Sequence, residues 1–121
     1  VDLDHFKHVN DTHGHQVGDQ VLITAARLLQ QYCREIDVVG RWGGEEFLII
    51  CPETPCAGAA KLAESLRQHL AAHLFPVVQQ QTASFGVACY HLGELAEILL
   101  ARADVALYHA KTQGRNQVVV D

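Results

Sequence analysis

A chain of 121 residues with 49% hydrophobic content can bury one core but not two, which predicts a single domain. Nine Lys and Arg against 14 Asp and Glu leave a formal charge of −5, so no basic field can track a nucleic-acid backbone, and non-specific DNA or RNA binding is disfavoured. The uncharged stretch 70–84 is broken by histidines, Pro76 and glutamines and offers no bilayer span, and no signal peptide opens the sequence.

Residues 1–4 alternate like the end of a strand already in progress, with no initiator Met, and read as part of a longer chain. A polar, Gly-containing stretch over 5–18 follows. Val21, Ala25, Leu28, Leu29 and Tyr32 recur at helical spacing, predicting a helix of roughly 17 residues that ends near Arg34. The β-rich runs 36–42 and 47–51 flank Gly43-Gly44-Glu45-Glu46 and predict a hairpin with a glycine turn. Thr54-Pro55 reads as an N-cap followed by Pro at the first helical position, opening a second helix with a stripe of Ala59, Leu62, Ala63, Leu66 and Leu70. Val77-Val78 is a weak strand signal and 82–90 a stronger one. A third helix is expected over about 94–113, closed by Gly114, with a last short strand at 118–120. This order suits an α+β fold with a mostly antiparallel central sheet flanked by helices. The four cysteines, Cys33, Cys51, Cys56 and Cys89, have no Cys-x-x-Cys spacing and read as reduced thiols in a cytoplasmic setting.

Carboxylates crowd the end of the first strand and the hairpin turn. Asp2 and Asp4, on either side of Leu3, are read as pointing to opposite faces, so that only one serves a shared site; Asp4 is taken as a structural or surface acid. If the first strand and the hairpin are sheet neighbours, Asp2 and Glu45 converge on one hard divalent cation, and an oxygen-only ligand set selects Mg²⁺ or Mn²⁺ over Zn²⁺. The alternative, a solvated hairpin tip at Glu45-Glu46, is left open by spacing alone. Lys7, Lys111 and Arg115, together with a metal, can neutralise a polyphosphate that an acidic protein would otherwise repel. His69 and His73 stand four apart but bring no acidic or Cys partner for zinc. Ser65 and Ser84 lack the His/Asp context of a nucleophile. No Gly-x-Gly-x-x-Gly or Walker lysine motif occurs.

Three blocks carry a family resemblance. Arg41-Trp42-Gly43-Gly44-Glu45-Glu46-Phe47 is the GGEEF form of a known signature. The run from Asp2-Leu3-Asp4-His5-Phe6-Lys7 through Asn10-Asp11 and Gly14-His15 to Gly18-Asp19 matches the family's first block. Ala103-Asp104-Val105-Ala106-Leu107-Tyr108 with Lys111 and Gly114-Arg115-Asn116 matches its last. In this order the blocks cover nearly the whole chain, which resembles a GGDEF domain, the diguanylate cyclase family.

The resemblance implies a fold similar to nucleotide cyclases and the polymerase palm, with a ferredoxin-like core. It also implies a reaction in which two GTP become cyclic di-GMP and two pyrophosphates, with each subunit of a homodimer holding one GTP. By the same resemblance Asp2, the Leu3 carbonyl, Glu45 and Glu46 hold Mg²⁺, with Mn²⁺ as the alternative. Glu45, Glu46 and Lys7 are the catalytic set, and which glutamate acts as base is undecided. Phe6, Lys7, Asn10, His15, Asp19, Gly43, Gly44, Lys111 and Arg115 bind substrate, Asn10 and Asp19 reading the guanine edge and the three cations the phosphates. Asp19 can accept from both N1–H and the exocyclic amine of guanine, a pairing adenine cannot offer. Arg34 and Asp37, five residues before Gly43, match the family's Arg-x-x-Asp inhibitory site for cyclic di-GMP. The helix and Asp-x-Leu-Thr-Gly-Leu-x-Asn-Arg stretch that normally precede the first strand are absent from this sequence. The expected parent is cytoplasmic or anchored in the inner membrane, with an N-terminal sensory or regulatory region. The rival readings are a non-catalytic GTP or cyclic di-GMP receptor and a dimerisation surface.

Overall fold

The computed structural model describes all residues, 1–121. Its elements run β1 (Asp2–Leu3), α1 (Phe6–His13), α2 (His15–Tyr32), β2 (Val38–Gly43), β3 (Glu46–Ile50), α3 (Cys56–Ala72), β4 (Ala83–Val87), α4 (Ala96–Thr112) and β5 (Val118–Val120). The five strands form one sheet in the order β2-β3-β1-β4-β5, antiparallel except for the β4–β5 pair. This is the expected α+β architecture with a mostly antiparallel sheet.

Alternation along the central strands sorts the two faces. Leu3, Phe47, Ala83 and Phe85 turn toward α2 and α3 and join Val21, Leu29, Leu66 and Leu70 in the core. Their neighbours turn the other way, toward α4, which crosses β4 at Gly86. A Cβ on Gly86 would lie 2.3 Å from the Ala103 carbonyl oxygen and 2.4 Å from the Leu107 nitrogen. A helix can therefore sit against this strand only because glycine is there.

Several local expectations are corrected. The polar stretch over 5–18 is largely helical: α1 occupies Phe6–His13 and α2 begins at His15. Phe6 and Val9 supply its apolar face, a stripe too short to stand out against six polar neighbours. Pro55 precedes α3, and the Thr54 hydroxyl donates to the Pro52 carbonyl instead of capping the helix. Val77-Val78 is a turn, because Val77 has φ 66° and the only pairing there is the isolated Phe75–Gln79 bridge. The strand expected over 82–90 is confined to Ala83–Val87.

The reading of four reduced cysteines is also overturned. Cys56 and Cys89 form a disulfide that ties the start of α3 to the segment after β4, and only Cys33 and Cys51 are free. Sequence separation gave no hint of the bond, since the fold alone brings α3 alongside β4. No helix is long and apolar enough to cross a membrane.

Candidate active site

The hairpin carries the signature. Gly43 pairs with Glu46, leaving Gly44 and Glu45 as a two-residue turn, and Gly44 supplies the required positive φ, 47°. β3 then lies beside β1 with Asp2 directly opposite Glu46. Because Phe47 points into the core, Glu46 points to the α4 face, where Asp2 meets it. Glu45 is one residue earlier, in the turn, and its carbonyl accepts from the Leu3 N–H at 3.2 Å. Asp2's cross-strand neighbour is thus Glu46, while Glu45 sits at the adjoining rim.

Lys111 closes this cluster from α4. Its Nζ lies 2.8 Å from Asp2 Oδ1, 3.4 Å from Asp4 Oδ1 and 3.5 Å from the Leu3 carbonyl oxygen. One ammonium reaching both aspartates corrects the opposite-face reading of Asp2 and Asp4. Side chains alternate with period two, so residues two apart share a face. Asp4 is nevertheless structural: its side chain is 1% exposed and accepts from Thr82 Oγ1 and Ser84 Oγ, each at 2.7 Å, and from the Asn116 N–H at 3.0 Å.

The electrostatics single out Glu46. Burial, then the Asp2 carboxylate, then Asp104 raise its proton affinity above the ordinary glutamate value. Asp104, which sequence reasoning did not place in the site, stands seven residues before Lys111, two helical turns along the same face of α4. That spacing is the signal that could have found it.

Asp2 Oδ1 is buried and receives no properly directed hydrogen bond, although Lys111 Nζ is its ion-pair neighbour. Two carboxylates side by side, one paired with the Lys111 ammonium and one with a raised proton affinity, concentrate negative charge at the end of β1. No group of three or more His, Cys, Asp or Glu side chains converges anywhere in the chain. Asp2 and Glu46 offer hard oxygen donors, the chemistry by which a hard divalent cation is held through one or two carboxylates with carbonyl, water and phosphate oxygens completing its shell. Zinc clipped by His69 and His73 finds no support, because His69 stacks on Tyr32 at 3.6 Å and its Nδ1 lies 2.8 Å from the Ser65 carbonyl oxygen.

Of the other candidate residues, Asn10 and Phe6 meet α2 at Gly18, the residue before Asp19. A Cβ on Gly18 would fall 1.9 Å from Asn10 Oδ1 and 3.3 Å from the Phe6 ring, so Asn10 leans on bare backbone next to Asp19. Phe6 is buried, while Lys7, His15, Asp19 and Arg115 are exposed. Arg34 and Asp37 pair with each other: Arg34 Nη2 lies 2.7 Å from Asp37 Oδ1, and Arg34 N and Nε donate to Oδ2 at 2.8 and 3.1 Å. The Arg34 guanidinium also donates to Thr54 Oγ1. That pair lies at the far end of β2 from the Gly44 turn, away from Asp2. The clearest clefts of the molecule, about 230 Å³ between α2 and β2 and about 380 Å³ beside α1, are not lined by Asp2, Glu45 or Glu46.

Comparison with known proteins identifies the family. The family described as "Diguanylate cyclase, GGDEF domain" matches residues 1–117. Diguanylate cyclase DgcM of Escherichia coli K12 is 44% identical over 119 residues, which are 98% of this chain and 29% of DgcM. The GGDEF domain of DgcB from Caulobacter crescentus, solved in complex with c-di-GMP, superposes with a TM-score of 0.94 at 35% identity, covering 98% of this chain and 73% of that one. The active GGEEF domain of a diguanylate cyclase from Vibrio cholerae superposes with a TM-score of 0.91 at 38% identity, covering 98% and 78%. The chain spans less than a third of DgcM's length. With its signature on the β2–β3 turn and its carboxylates opposed across β1 and β3, the chain belongs to the GGDEF family.

Proposed function

We propose that residues 1–121 are the catalytic domain of a diguanylate cyclase that joins two GTP into cyclic di-GMP. The observation that carries this reading is the Asp2–Glu46 pair, opposed across the sheet at the GGEEF hairpin with Lys111 above it. In each half-reaction a ribose 3′-oxygen bonds to the α-phosphorus of the other GTP, the bond to pyrophosphate breaks, and the hydroxyl proton leaves to a base. Two such steps release two pyrophosphates and close the ring.

Mg²⁺, when held by Asp2, Glu45, Glu46 and the Leu3 carbonyl, supplies charge neutralisation at the phosphates and acidifies the attacking hydroxyl. This chain's own residues do the rest by alignment, which is most of what phosphoryl transfer asks of a protein. Glu46, directly opposite Asp2 across the β1–β3 ladder, is the glutamate assigned to take the 3′-hydroxyl proton. Gly43 and Gly44 carry no side chain between the hairpin backbone and an approaching phosphate, and nothing lies within 4 Å of either Cβ position. Lys7, Lys111 and Arg115 meet the phosphates. Asn10, held against Gly18, and Asp19 read guanine, with Phe6 beneath and His15 at the rim.

One domain offers one such face, so the second nucleotide comes from a second copy and the active species is a homodimer. The Arg34–Asp37 pair is the product site, where cyclic di-GMP holds the domain in an unproductive arrangement. c-di-GMP binding by DgcB supports that ligand class. The domain acts in the cytoplasm. Incubating the dimeric full-length parent with GTP and Mg²⁺ and separating the products by chromatography tests the whole reading: cyclic di-GMP is expected, and its absence from a folded dimer refutes the enzyme.

A further inference from the structure

We propose that Asp4 is a positioning residue whose one buried carboxylate sets both cations supplied by the C-terminal end of the chain, Lys111 and Arg115. It thereby sets the affinity of the site for the phosphate chain of its nucleotide. The inference rests on the nucleotide reading above and names what orients its phosphate contacts.

Asp4 is saturated from three directions. Oδ1 accepts from Ser84 Oγ at 2.7 Å and lies 3.4 Å from Lys111 Nζ. Oδ2 accepts from Thr82 Oγ1 at 2.7 Å and from the Asn116 N–H at 3.0 Å. Its main chain is locked as well, the N–H donating to the Thr82 carbonyl at 2.9 Å and the carbonyl accepting from Gln81 Nε2 at 2.8 Å. The carboxylate is therefore immobile, and whatever it holds is held relative to β1, the strand that carries Asp2.

Two of the things it holds are cation supports. Lys111 is shared between Asp2 and Asp4, so Asp4 keeps the ammonium over the site when a ligand draws on Asp2. Arg115 lies in a turn with three successive residues in the left-handed region: Gly114 at φ 123°, Arg115 at 64° and Asn116 at 47°. Non-glycine residues rarely adopt that backbone unaided. Four hydrogen bonds fix it, from Arg115 N to the Ala110 carbonyl at 2.9 Å, from Asn116 N to Asp4 Oδ2 at 3.0 Å, from Arg67 Nη1 to Asn116 Oδ1 at 2.9 Å and from Gln117 Nε2 to the Arg115 carbonyl at 3.2 Å. Asp4 is the one anchor that ties this turn to β1.

A fold alone does not need a charge here. Thr82 and Ser84 are neutral donors that a neutral acceptor would satisfy, and a buried carboxylate is costly unless its charge is used. The ammonium and the strained turn are where that charge acts.

The test uses the dimeric full-length protein with Mg²⁺, measuring calorimetric affinity for an α,β-methylene analogue of GTP, which cannot be turned over, and for guanosine. Asp4→Asn is expected to weaken the triphosphate by about tenfold or more while guanosine binding stays within about twofold. Ser84→Ala removes a hydrogen bond from the same carboxylate without touching Lys111 or Asn116, and should leave the ratio of the two affinities unchanged even as it lowers the melting temperature. A wild-type ratio in Asp4→Asn, or a fallen ratio in Ser84→Ala, overturns the proposal alone. A wild-type protein that binds neither ligand overturns the nucleotide reading, and this proposal with it. If Asp4→Asn does not fold, Asp4→Glu takes its place, since a longer side chain cannot meet the Ser84 and Asn116 donors at once. The same fall in ratio is expected and an unchanged ratio is again fatal.

Discussion

Asp2 and Glu46 face each other across the β1–β3 ladder at the point where the sheet would most simply place two neutral residues. Like charges directly opposed on a sheet are destabilising, and the raised proton affinity of Glu46, from burial first and Asp2 second, is the local expression of that conflict. A site that keeps such a pair is organised around a positive charge.

Glu46→Gln should separate stability from chemistry. Because the folded-state value of Glu46 lies above its unfolded value of 4.5, the folded protein binds this proton more tightly. The penalty is absent below the unfolded value and complete once pH rises through the folded value. At neutral pH without divalent cations, Glu46→Gln should therefore raise folding stability by about 0.2–1 kcal/mol, the size of a cross-strand charge effect. In the parent dimer it should abolish cyclic di-GMP formation. Urea titrations at pH 7 and pH 4 check the first claim, with the gain expected to shrink at the lower pH; retained turnover would refute the role in catalysis.

Glycine at position 18 should matter for nucleotide discrimination more than for folding. A Cβ there meets the end of the Asn10 side chain at 1.9 Å, and a side-chain terminus can swing away where backbone could not. Gly18→Ala should thus fold with a stability change within about 1 kcal/mol, since Ala replaces Gly inside a helix. It should still weaken GTP binding and narrow the preference for GTP over ATP by displacing the Asn10 side chain from its place against Gly18. Competition binding with the two nucleotides measures it, and an unchanged preference would remove Asn10 from guanine reading.

The architecture was legible in the sequence because period-two and helical patterns survive in its strands and long helices. The three matched blocks pointed to Asp2 and the hairpin acids as metal ligands and to Lys111 as a phosphate contact. What escaped were features decided by tertiary contact. The α1 helix hides in polar residues because only Phe6 and Val9 are buried. Glu46 lies opposite Asp2 through the long-range β1–β3 pairing, which composition does not reveal. Asp4 belongs with Asp2 by the elementary alternation rule, and the opposite-face reading failed on that rule. The Cys56–Cys89 bond closes across 33 residues of sequence through the packing of α3 against β4.

That disulfide should be visible in stability. Closing a loop of this length restricts the unfolded chain by about 2–4 kcal/mol in the chain-entropy account. Reductant should lower the urea midpoint of the wild-type protein by a corresponding amount. Cys56→Ser should start at the lower midpoint and show no response to reductant. Cys33 should contribute nothing to either result, because burial, then the Asp37 carboxylate, pushes its thiol up to about 11, leaving little thiolate to react at neutral pH. A midpoint that reductant does not move would mean the bond is absent in solution.

Arg34→Ala should alter both acid stability and product inhibition. Hydrogen bonds from the Arg34 guanidinium are the main cause that holds the Asp37 carboxyl below its ordinary 3.8. A depressed folded value contributes stability that is present above the unfolded value and lost as pH falls through the folded one. The variant should accordingly be less stable than wild type at neutral pH, and the difference should start to shrink as pH falls below 3.8 and vanish once pH has fallen through the lower folded value of Asp37. Inhibition of the parent dimer by added cyclic di-GMP, measured well below the variant's melting temperature, should weaken in parallel. The two readouts are independent: convergence in acid tests the ion pair seen in the structure, while an unchanged inhibition curve with that convergence intact would leave Arg34–Asp37 as a helix-end clamp and place product control elsewhere.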